Sequence, residues 1–385
     1  MTDRIIPDQS PDLEDETAAR TALPTGGEDV RSAGQWRLVR ARFRRHRMAM
    51  IGLWVLIVLY TVAIFAGFFA PFNTASYGSQ DAYHPPQIPR YSTEHGLHVP
   101  ETSSFTDPET LAPTFEEDPE EVVSLGFFVR GDPYRLFGFI PMDIHLFGPE
   151  DPEQRWYPLG GDRAGGDLLS KIIYGSQISL SIGLAGVGVS LLLGLILGGI
   201  SGYFGGAIDN VVQRVIELLM SIPTLPLWLG LAASIPPQWG PVPTYFMITV
   251  ILSLVGWTNL ARVIRGRLLQ TRGEDYVLAA RLDGVPTRRI ISRHMLPSFA
   301  SHIIATVSLA VPTMILSETA LSFLGLGLQA PAVSWGVLLQ DAQSVRVLAN
   351  APWLLLPGLA VVLAVVAFNF VGDGLRDSAD PYGKR

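Results

Sequence analysis

Long apolar stretches alternate with polar, charged segments along the chain. A helix needs roughly 20 apolar residues to cross a bilayer, where every backbone polar group must be satisfied internally. The pattern therefore predicts an all-α integral membrane protein with six transmembrane helices and a small extracytoplasmic insert between helices 1 and 2. The predicted spans cover about 48–70, 178–200, 212–233, 245–263, 300–321 and 352–371.

Polar segments divide the chain into regions with different expected roles. Residues 1–35 are rich in Asp, Glu, Ser, Pro and Thr, which predicts a disordered cytoplasmic tail. The other regions are a basic juxtamembrane segment (36–47), the first span (48–70), the extracytoplasmic insert (71–166) and a core (167–385) that contains spans 2 to 6 and a cytoplasmic loop (264–297).

The insert is acidic and rich in proline and aromatic residues. Aromatic side chains in this number argue against simple disorder, so we expect a small folded unit. Directly after it, apolar residues at helical spacing in 167–174 predict a short helix lying in the membrane interface. Span 2 is dense in Gly, Ser and Ala, which allow close helix packing. Pro223 and Pro226 predict a kink in span 3.

The placement of arginine sets the expected orientation. Arginines cluster in residues 36–47, just before span 1, and again in 262–293, and such clusters mark cytoplasmic segments. We therefore expect both termini in the cytoplasm and the insert on the opposite side. A nucleic-acid site is the alternative for the first cluster, but its place beside a span already explains its charge.

Composition narrows the classes of function. Only 16% of the 385 residues are charged, against about 25% in soluble domains, and the mean hydropathy is +0.30. The chain has no cysteine, which excludes disulfides and thiolate chemistry. It has no GxxxxGK[ST] loop to hold ATP phosphates. The histidines show no metal-ligand spacing, and no acid–base pair or nucleophile elbow indicates an enzyme.

The most charged stretch between two spans runs from Asp275 to Pro297 and reads DYVLAARLDGVPTRRIISRHMLP. Thr271 and Glu274 have the spacing of a capping box, which predicts a helix that begins near Arg272. We expect two short helices here, in a segment where another protein docks.

The details of the stretch support a docking role. Gly284 can adopt the left-handed conformation that ends a helix, and Pro286 suits the first turn of the next helix. Tyr276, Ala279 and Ala280 lie on one face of the first helix, and the alanine pair makes that face narrow enough for a groove on a partner. The alternative is an ordinary basic loop whose arginines only follow the charge rule.

The same stretch resembles the EAA signature of permease subunits in bacterial ABC importers. The matching residues are Leu278-Ala279-Ala280, Gly284, His294 and Leu296-Pro297. Leu278 replaces the usual Glu and His294 the usual Ile, changes that are common in the peptide-importer branch. The resemblance implies that this loop docks on an ATP-binding subunit. The implied ATPase-coupling residues are Tyr276, Ala279, Ala280, Gly284, His294, Leu296 and Pro297.

Further blocks in the family's order extend the resemblance from about Arg40 to Pro381, apart from the insert. These blocks are 159–183, 202–209, 256–266, 321–331, 334–336 and 368–381. The nearest match is the second, C-type permease of dipeptide, oligopeptide and nickel importers. The resemblance implies the type I ABC importer permease fold in a bacterial inner (plasma) membrane.

The resemblance also implies partners and a function. The partners are a homologous B-type permease, two ATP-binding subunits, an extracytoplasmic solute-binding protein and membrane lipid, with no nucleic acid. No cofactor is expected in this chain, because the ATPase subunits would bind ATP and Mg. The implied function is ATP-driven import of di- or oligopeptides. Nickel or oligosaccharide import is one alternative; an ion-coupled secondary transporter, or an anchor without a pathway, belongs to another class.

Polar residues at membrane depth are candidates for the pathway. Glu318 in span 5 is expected either to contact a charged amine of the substrate or to pair helices. Glu217 lies one turn after Arg214 near the cytoplasmic end of span 3, where a gating or packing role is expected.

Overall fold

The computed structural model describes residues 35–75, 79–106 and 113–379. The predicted tail at 1–35 lies outside these residues apart from its last position.

Helices make up most of the described chain. In order they are α1 (Gln35–Arg45), α2 (Arg47–Ile64), α3 (Ala66–Phe69), α4 (Leu168–Phe204), α5 (Gly206–Ser221), α6 (Thr224–Ala232), α7 (Pro241–Thr271), α8 (Asp275–Leu282), α9 (Thr287–Arg289), α10 (Ala300–Phe323), α11 (Trp335–Gln340), α12 (Val345–Asn350) and α13 (Leu356–Ala379). Shorter turns are 3-10 helices at Ser79–Asp81, Leu296–Phe299, Asp341–Gln343 and Pro352–Leu355, and a π-helix at Ile290–Met295.

Five helical stretches of the described chain are long and apolar enough to cross a membrane: Arg47–Ile64, Leu168–Phe204, Pro241–Thr271, Thr287–Phe323 and Pro352–Ser378. A sixth crossing would come from α5 and α6, which bend by 86° at the break between them. The prediction of a helical membrane protein is confirmed, with five or six candidate spans. Pro223 explains the break, because it follows α5 and has no amide hydrogen to continue a helix.

The prediction of an all-α fold is wrong, because the insert contains a four-stranded antiparallel sheet. Its strands, in the order β1-β2-β3-β4, are β1 (Arg90–Ser92), β2 (Gly96–Thr106), β3 (Pro113–Leu136) and β4 (Ile140–Pro149). The first half of β3 pairs with β2 and its second half pairs with β4. Valines and aromatic residues favour strands in β3, although its acids and prolines obscure the pattern.

The sheet packs on a small core of its own. Val99, Val123 and Leu125 are buried together with Phe72 and Trp156 from the segments that flank the sheet. The Trp156 indole donates a hydrogen bond to the Gln87 carbonyl at 3.3 Å. The expectation of a folded insert, as opposed to a disordered one, is therefore confirmed.

Two predicted helix boundaries are wrong. The stretch 167–174 is no separate interfacial helix, because it forms the first turns of α4, which continues to Phe204. The first helix of the 275–297 stretch begins at Asp275, three residues after the predicted start near Arg272, because α7 extends to Thr271. The Thr271 hydroxyl donates to the Arg267 carbonyl one turn back at 3.0 Å, so it is engaged within α7.

Helices α4 and α7 pack against each other through small residues. Gly194, Gly198 and Gly202 recur every fourth residue of α4, and a Cβ on Gly198 would lie 2.6 Å from the Ala261 carbonyl oxygen of α7. The two backbones therefore approach at distances that only glycine permits. These glycines lie in the half of α4 that is farther from the insert. The end of the bundle that carries the insert is called here the insert end.

Candidate functional site

The segment from Asp275 to Phe299, here the module, lies between α7 and α10 at the opposite end of the bundle from the insert. Gly284 has φ +72°, the left-handed conformation expected for a helix stop. Its amide donates to Arg281, and the amide of Val285 donates to Ala280, both at 3.0 Å. These two bonds form a Schellman motif, so the prediction that Gly284 ends the first helix is confirmed.

One side of the module packs on the helix that precedes it. Val277 and Ala280 of α8 are buried with Ile290 and Met295 of the following turns. The same cluster includes Ile264 and Leu268 of α7. Burial of these apolar groups fixes the module against the end of α7, so that the two elements form one packed unit.

The other side of α8 is exposed. Tyr276 and Leu278 are exposed, as is Ala279, and Leu282 is 89% exposed. The face predicted from Tyr276, Ala279 and Ala280 is therefore divided, because Ala280 points into the module core. Sequence reasoning did not select Leu282, although an apolar residue just before a helix stop was visible as a signal.

The remaining predicted coupling residues lie after Gly284. His294 is exposed and lies in the π-helical turn, a local irregularity that is frequent at functional sites. Leu296 is partly buried against the module core, whereas Pro297 is exposed in the 3-10 turn that leads to α10.

A polar contact joins the module to α4. The Arg281 Nε donates to the Tyr203 hydroxyl at 3.1 Å, and the guanidinium carbon lies 4.8 Å from the centre of the Tyr203 ring. A cation over an aromatic face is attracted by the ring quadrupole. The contact thus connects α8 directly to the last turn of α4.

An ion pair joins three helices next to the module. Arg265 of α7 donates from Nε and a terminal nitrogen to the two carboxylate oxygens of Asp209 in α5, each at 2.5 Å. The Ser201 hydroxyl of α4 donates to the same carboxylate at 2.5 Å. Bidentate, charge-assisted pairs of this kind are strong and directional. Sequence reasoning missed all three residues, although two charged groups beside apolar spans were a signal.

Glu318 of α10 is fully buried and joins elements at the insert end. Its carboxylate accepts hydroxyl hydrogen bonds from Ser322 at 2.8 Å, Ser334 at 2.7 Å and Ser179 at 3.3 Å. The Ser179 oxygen also accepts the Trp335 amide at 3.1 Å. The ion pairs found in the described part of the chain do not include Glu318. The carboxylate therefore connects α4, α10 and the start of α11.

Arg214 and Glu217 lie together on an exposed surface of α5. The guanidinium donates to the Glu217 carboxylate at 2.8 Å, one turn apart. Asp209 and Ile216 are the buried residues of this helix, and Val212 and Leu219 pack beside Ile216 on α4 and α7. Most of the other residues of α5 are exposed in the described chain.

Charged groups also order the start of α4. Asp167 accepts the amides of Leu169 at 3.2 Å and Ser170 at 2.7 Å as the helix N-cap. Burial raises the pKa of Asp167 to about 6, although these hydrogen bonds favour the ionised carboxylate. Nearby, Lys171 donates to a buried oxygen of Asp162. This charge pair lies where the insert joins the bundle.

Two family models match the chain. The model described as "Binding-protein-dependent transport system inner membrane component" matches residues 190–382, which include the module. The model described as "N-terminal TM domain of oligopeptide transport permease C" matches residues 34–86.

Similar curated proteins are transport permeases. The oligopeptide transport system permease protein OppC of Bacillus subtilis (strain 168) is 29% identical over 95% of this chain and 96% of its own length. The dipeptide transport system permease protein DppC of the same organism is 39% identical over 60% of this chain and 69% of its own. The oligopeptide permease OppC of Haemophilus influenzae is 37% identical over 64% of this chain and 76% of its own.

Proposed function

We propose how this chain works from the premise that it belongs to the oligopeptide and dipeptide permease C family, whose members are inner membrane components of binding-protein-dependent transport systems. It is a multi-pass inner membrane protein and the permease component of an oligopeptide or dipeptide ABC transport system. Such a system includes an ATPase and a binding protein as partners. Membership in this family sets aside the ion-coupled alternative.

We place the module in the cytoplasm and the insert outside. The arginines of α1 and of the module support this orientation, because cytoplasmic segments carry the excess of positive charge. The family's assembly then has a homologous B-type permease beside this chain and two ATP-binding subunits beneath, with ATP and Mg bound by those subunits. The solute-binding protein delivers peptide at the insert end.

The exposed face of α8 is the proposed docking surface for one ATP-binding subunit. The apolar groups on this face come from Tyr276, Leu278 and Leu282. The opposite face of α8 is packed in the module core. An apolar patch rimmed by charge is typical of a protein interface. Ala279 lies between these residues and keeps the surface narrow.

Contacts inside the chain provide a route from this surface to the candidate spans. The module core packs on α7, and Arg281 reaches Tyr203 at the end of α4. The Asp209–Arg265 pair joins α5 to α7 at the same end. A displacement of α8 by a closing ATPase would therefore move the ends of α4, α5 and α7 together.

The broken helix pair is the proposed contact with the second permease. Most of α5 is exposed in this chain, including Val211, Val215 and Leu218, and α6 follows it at a sharp angle. An apolar surface beside an Arg214–Glu217 pair suits a subunit interface next to a polar pathway. We assign Glu318 to helix pairing, because three serine hydroxyls already occupy its oxygens.

The free energy for transport comes from the ATPase, and this chain contributes contacts that differ between two conformations. The exposure of Leu282 at the tip of a helix that is packed on the bundle is the observation that carries the coupling proposal.

The test is Leu282→Glu in the complete complex, reconstituted in lipid. Because Leu282 is 89% exposed, the substitution leaves the module core intact, and we expect about a tenfold loss of ATPase co-purification and of binding-protein-stimulated ATP hydrolysis. Val345→Glu is the matched control for ATPase co-purification, since Val345 is 82% exposed at the insert end. ATPase attachment at the level of this control, or stimulated hydrolysis at the level of the native complex, would contradict the coupling role.

A further inference from the structure

The hairpin that joins β3 to β4 has a bulky residue where its backbone favours a small one. Leu136 and Ile140 pair across the hairpin, and the first two of the three residues between them, Phe137 and Gly138, have φ of +54° and +82°. Positive φ at two successive turn residues is typical of a type I′ turn, where Asn and Gly are preferred. Phe137 therefore occupies a conformation that costs free energy for a side chain of its shape.

The Phe137 ring makes a contact that accounts for this cost. It lies edge-on to Phe65, with ring centres 5.7 Å apart, at the residue that follows α2. The buried Tyr134, near the base of the same hairpin, packs on Gly67 of α3, where a Cβ would overlap its ring. The hairpin tip is thus held against the end of the first candidate span.

A second phenylalanine of the sheet repeats this arrangement. Phe128 in β3 has φ +55°, and its ring centre lies 6.2 Å from that of Phe68 in α3. Two phenylalanines in left-handed conformations therefore contact the region where α2 ends and α3 begins. Strained backbone of this kind persists where the surrounding contacts stabilise it, and it is frequent at functional sites.

The aromatic residues of this region also face outward. Phe139 is 73% exposed and Phe137 is 55% exposed, and Phe127 and Phe128 are exposed as well. Phe137 and Phe139, whose ring centres lie 6.4 Å apart, continue the exposed apolar side of α2, because Phe137 contacts Phe65 directly after that helix. The exposed residues on that side of α2 include Trp54, Val58 and Ile64. The exposed residues of α2 between positions 48 and 64 are apolar except Thr61, whose hydroxyl donates to the Ile57 carbonyl at 2.7 Å. This side of α2 therefore suits lipid, and the aromatic patch begins where it ends.

Polar groups at the patch fit the same level of a bilayer. Arg135 is exposed two residues before Phe137, the first turn residue. A cavity of about 920 Å³ between the hairpin and the span is lined by Arg135 together with Ile64 and Tyr174. Aromatic rings with a nearby cation are the groups that favour the membrane–water interface, where an arginine meets lipid phosphate.

We propose that the tip of the β3–β4 hairpin, residues 135–140, inserts into the phospholipid headgroup region at the insert end and anchors the sheet to the membrane surface. The occupant of the exposed aromatic patch is then phospholipid, with Arg135 at the phosphate. The proposal follows from the continuity of the patch with the lipid-facing side of α2.

Because this chain has no cysteine, one introduced thiol gives it a single site for a nitroxide label. Phe139→Cys is labelled in the full transport complex in phospholipid nanodiscs. Phe105→Cys is the matched control, because Phe105 is 54% exposed on β2, beside the opposite end of β3. We expect the ratio of collisions with oxygen to collisions with a water-soluble nickel chelate to be about threefold higher at 139 than at 105.

Two outcomes would overturn the proposal. Equal ratios at both positions would place the hairpin tip in water. Protection from both reagents at position 139 would show that a protein partner covers the patch in place of lipid.

A second variant separates anchoring from folding of the hairpin. Phe137→Asn removes the ring but suits positive φ, so the turn is retained. In the labelled Phe139→Cys background we expect it to lower the collision ratio by about half, because the hairpin loses its contact with Phe65. An unchanged ratio would overturn the anchoring role of Phe137.

Discussion

At Asp167 a single carboxylate caps the start of a helix, and its burial disfavours its charged form. It accepts two amides at the start of α4, which stabilises the ionised form, yet burial has the larger effect and raises its pKa to about 6 from an ordinary value of 3.8. Between about pH 4 and pH 6 the Asp167 carboxyl therefore keeps its proton in the folded state, whereas the unfolded chain has released it. The stabilisation is complete below about pH 4 and is lost as the pH rises through about 6.

Asp167→Asn should remove this dependence, because Asn also caps helices but does not ionise. We expect the variant to match the native chain near pH 4 and to be more stable above pH 6, by roughly 2–3 kcal/mol. Apparent unfolding midpoints of the complex across this range provide the measurement. A native chain that gains stability relative to the variant as the pH rises would show that the N-cap bonds outweigh burial.

Among the helices, the α4–α7 contact shows how a local pattern acquires its partner. The small residues of span 2 predict close packing, and Gly198 does meet Ala261 with no space for a side chain. The identity of the facing helix was not predictable, because any apolar helix with a small residue could have supplied it. The same limit applies to Arg265 and Asp209, which lie 56 residues apart in the chain.

Adjacent glycines of α4 provide a matched pair of variants. A Cβ at Gly198 would collide with the backbone of α7, whereas nothing lies within 4 Å of a Cβ at Gly199. We expect Gly198→Ala to destabilise the complex by about 1–3 kcal/mol through overpacking. Gly199→Ala should be neutral or slightly stabilising, since alanine favours helices more than glycine. Thermal unfolding in nanodiscs measures both, and equal midpoints would argue against a close α4–α7 contact in lipid.

Over the whole molecule, the insert and the module lie at opposite ends of one helical bundle. The module has an exposed apolar helix face, and the insert has an acidic sheet with a core of its own. Among the described residues the buried apolar clusters of the two units are separate, so each unit can serve a different partner. This separation supports assigning the ATPase to the module and the binding protein to the insert end.

Replacement of residues 88–149 by a flexible linker tests the outer assignment. The variant keeps Gln87, whose carbonyl accepts the Trp156 indole and whose side chain accepts the Tyr157 amide, so the base of the insert stays ordered. We expect about a tenfold weaker attachment of the binding protein, with ATPase co-purification unchanged. Binding-protein affinity equal to that of the native complex would reject a docking role for the sheet.

The amino-acid sequence by itself determined the features that depend on neighbouring residues. Spans appear as apolar runs, because their side chains lie in hydrocarbon, and as helices, because a segment in lipid must satisfy its own backbone hydrogen bonds. The stop at Gly284 was also predictable, because a left-handed turn is a property of a few adjacent residues.

Only the tertiary structure decided the features that depend on distant residues. The sheet escaped prediction because its hydrogen bonds join separate strands, and Ala280 turned inward because Ile290 and Met295 fold back over α8. The Glu318 carboxylate accepts hydroxyl hydrogen bonds from its own helix, from the start of α11 and from Ser179, which lies 139 residues away in the chain. A charged or small side chain defines which contacts are favourable, but the packing of the helices decides which of them form.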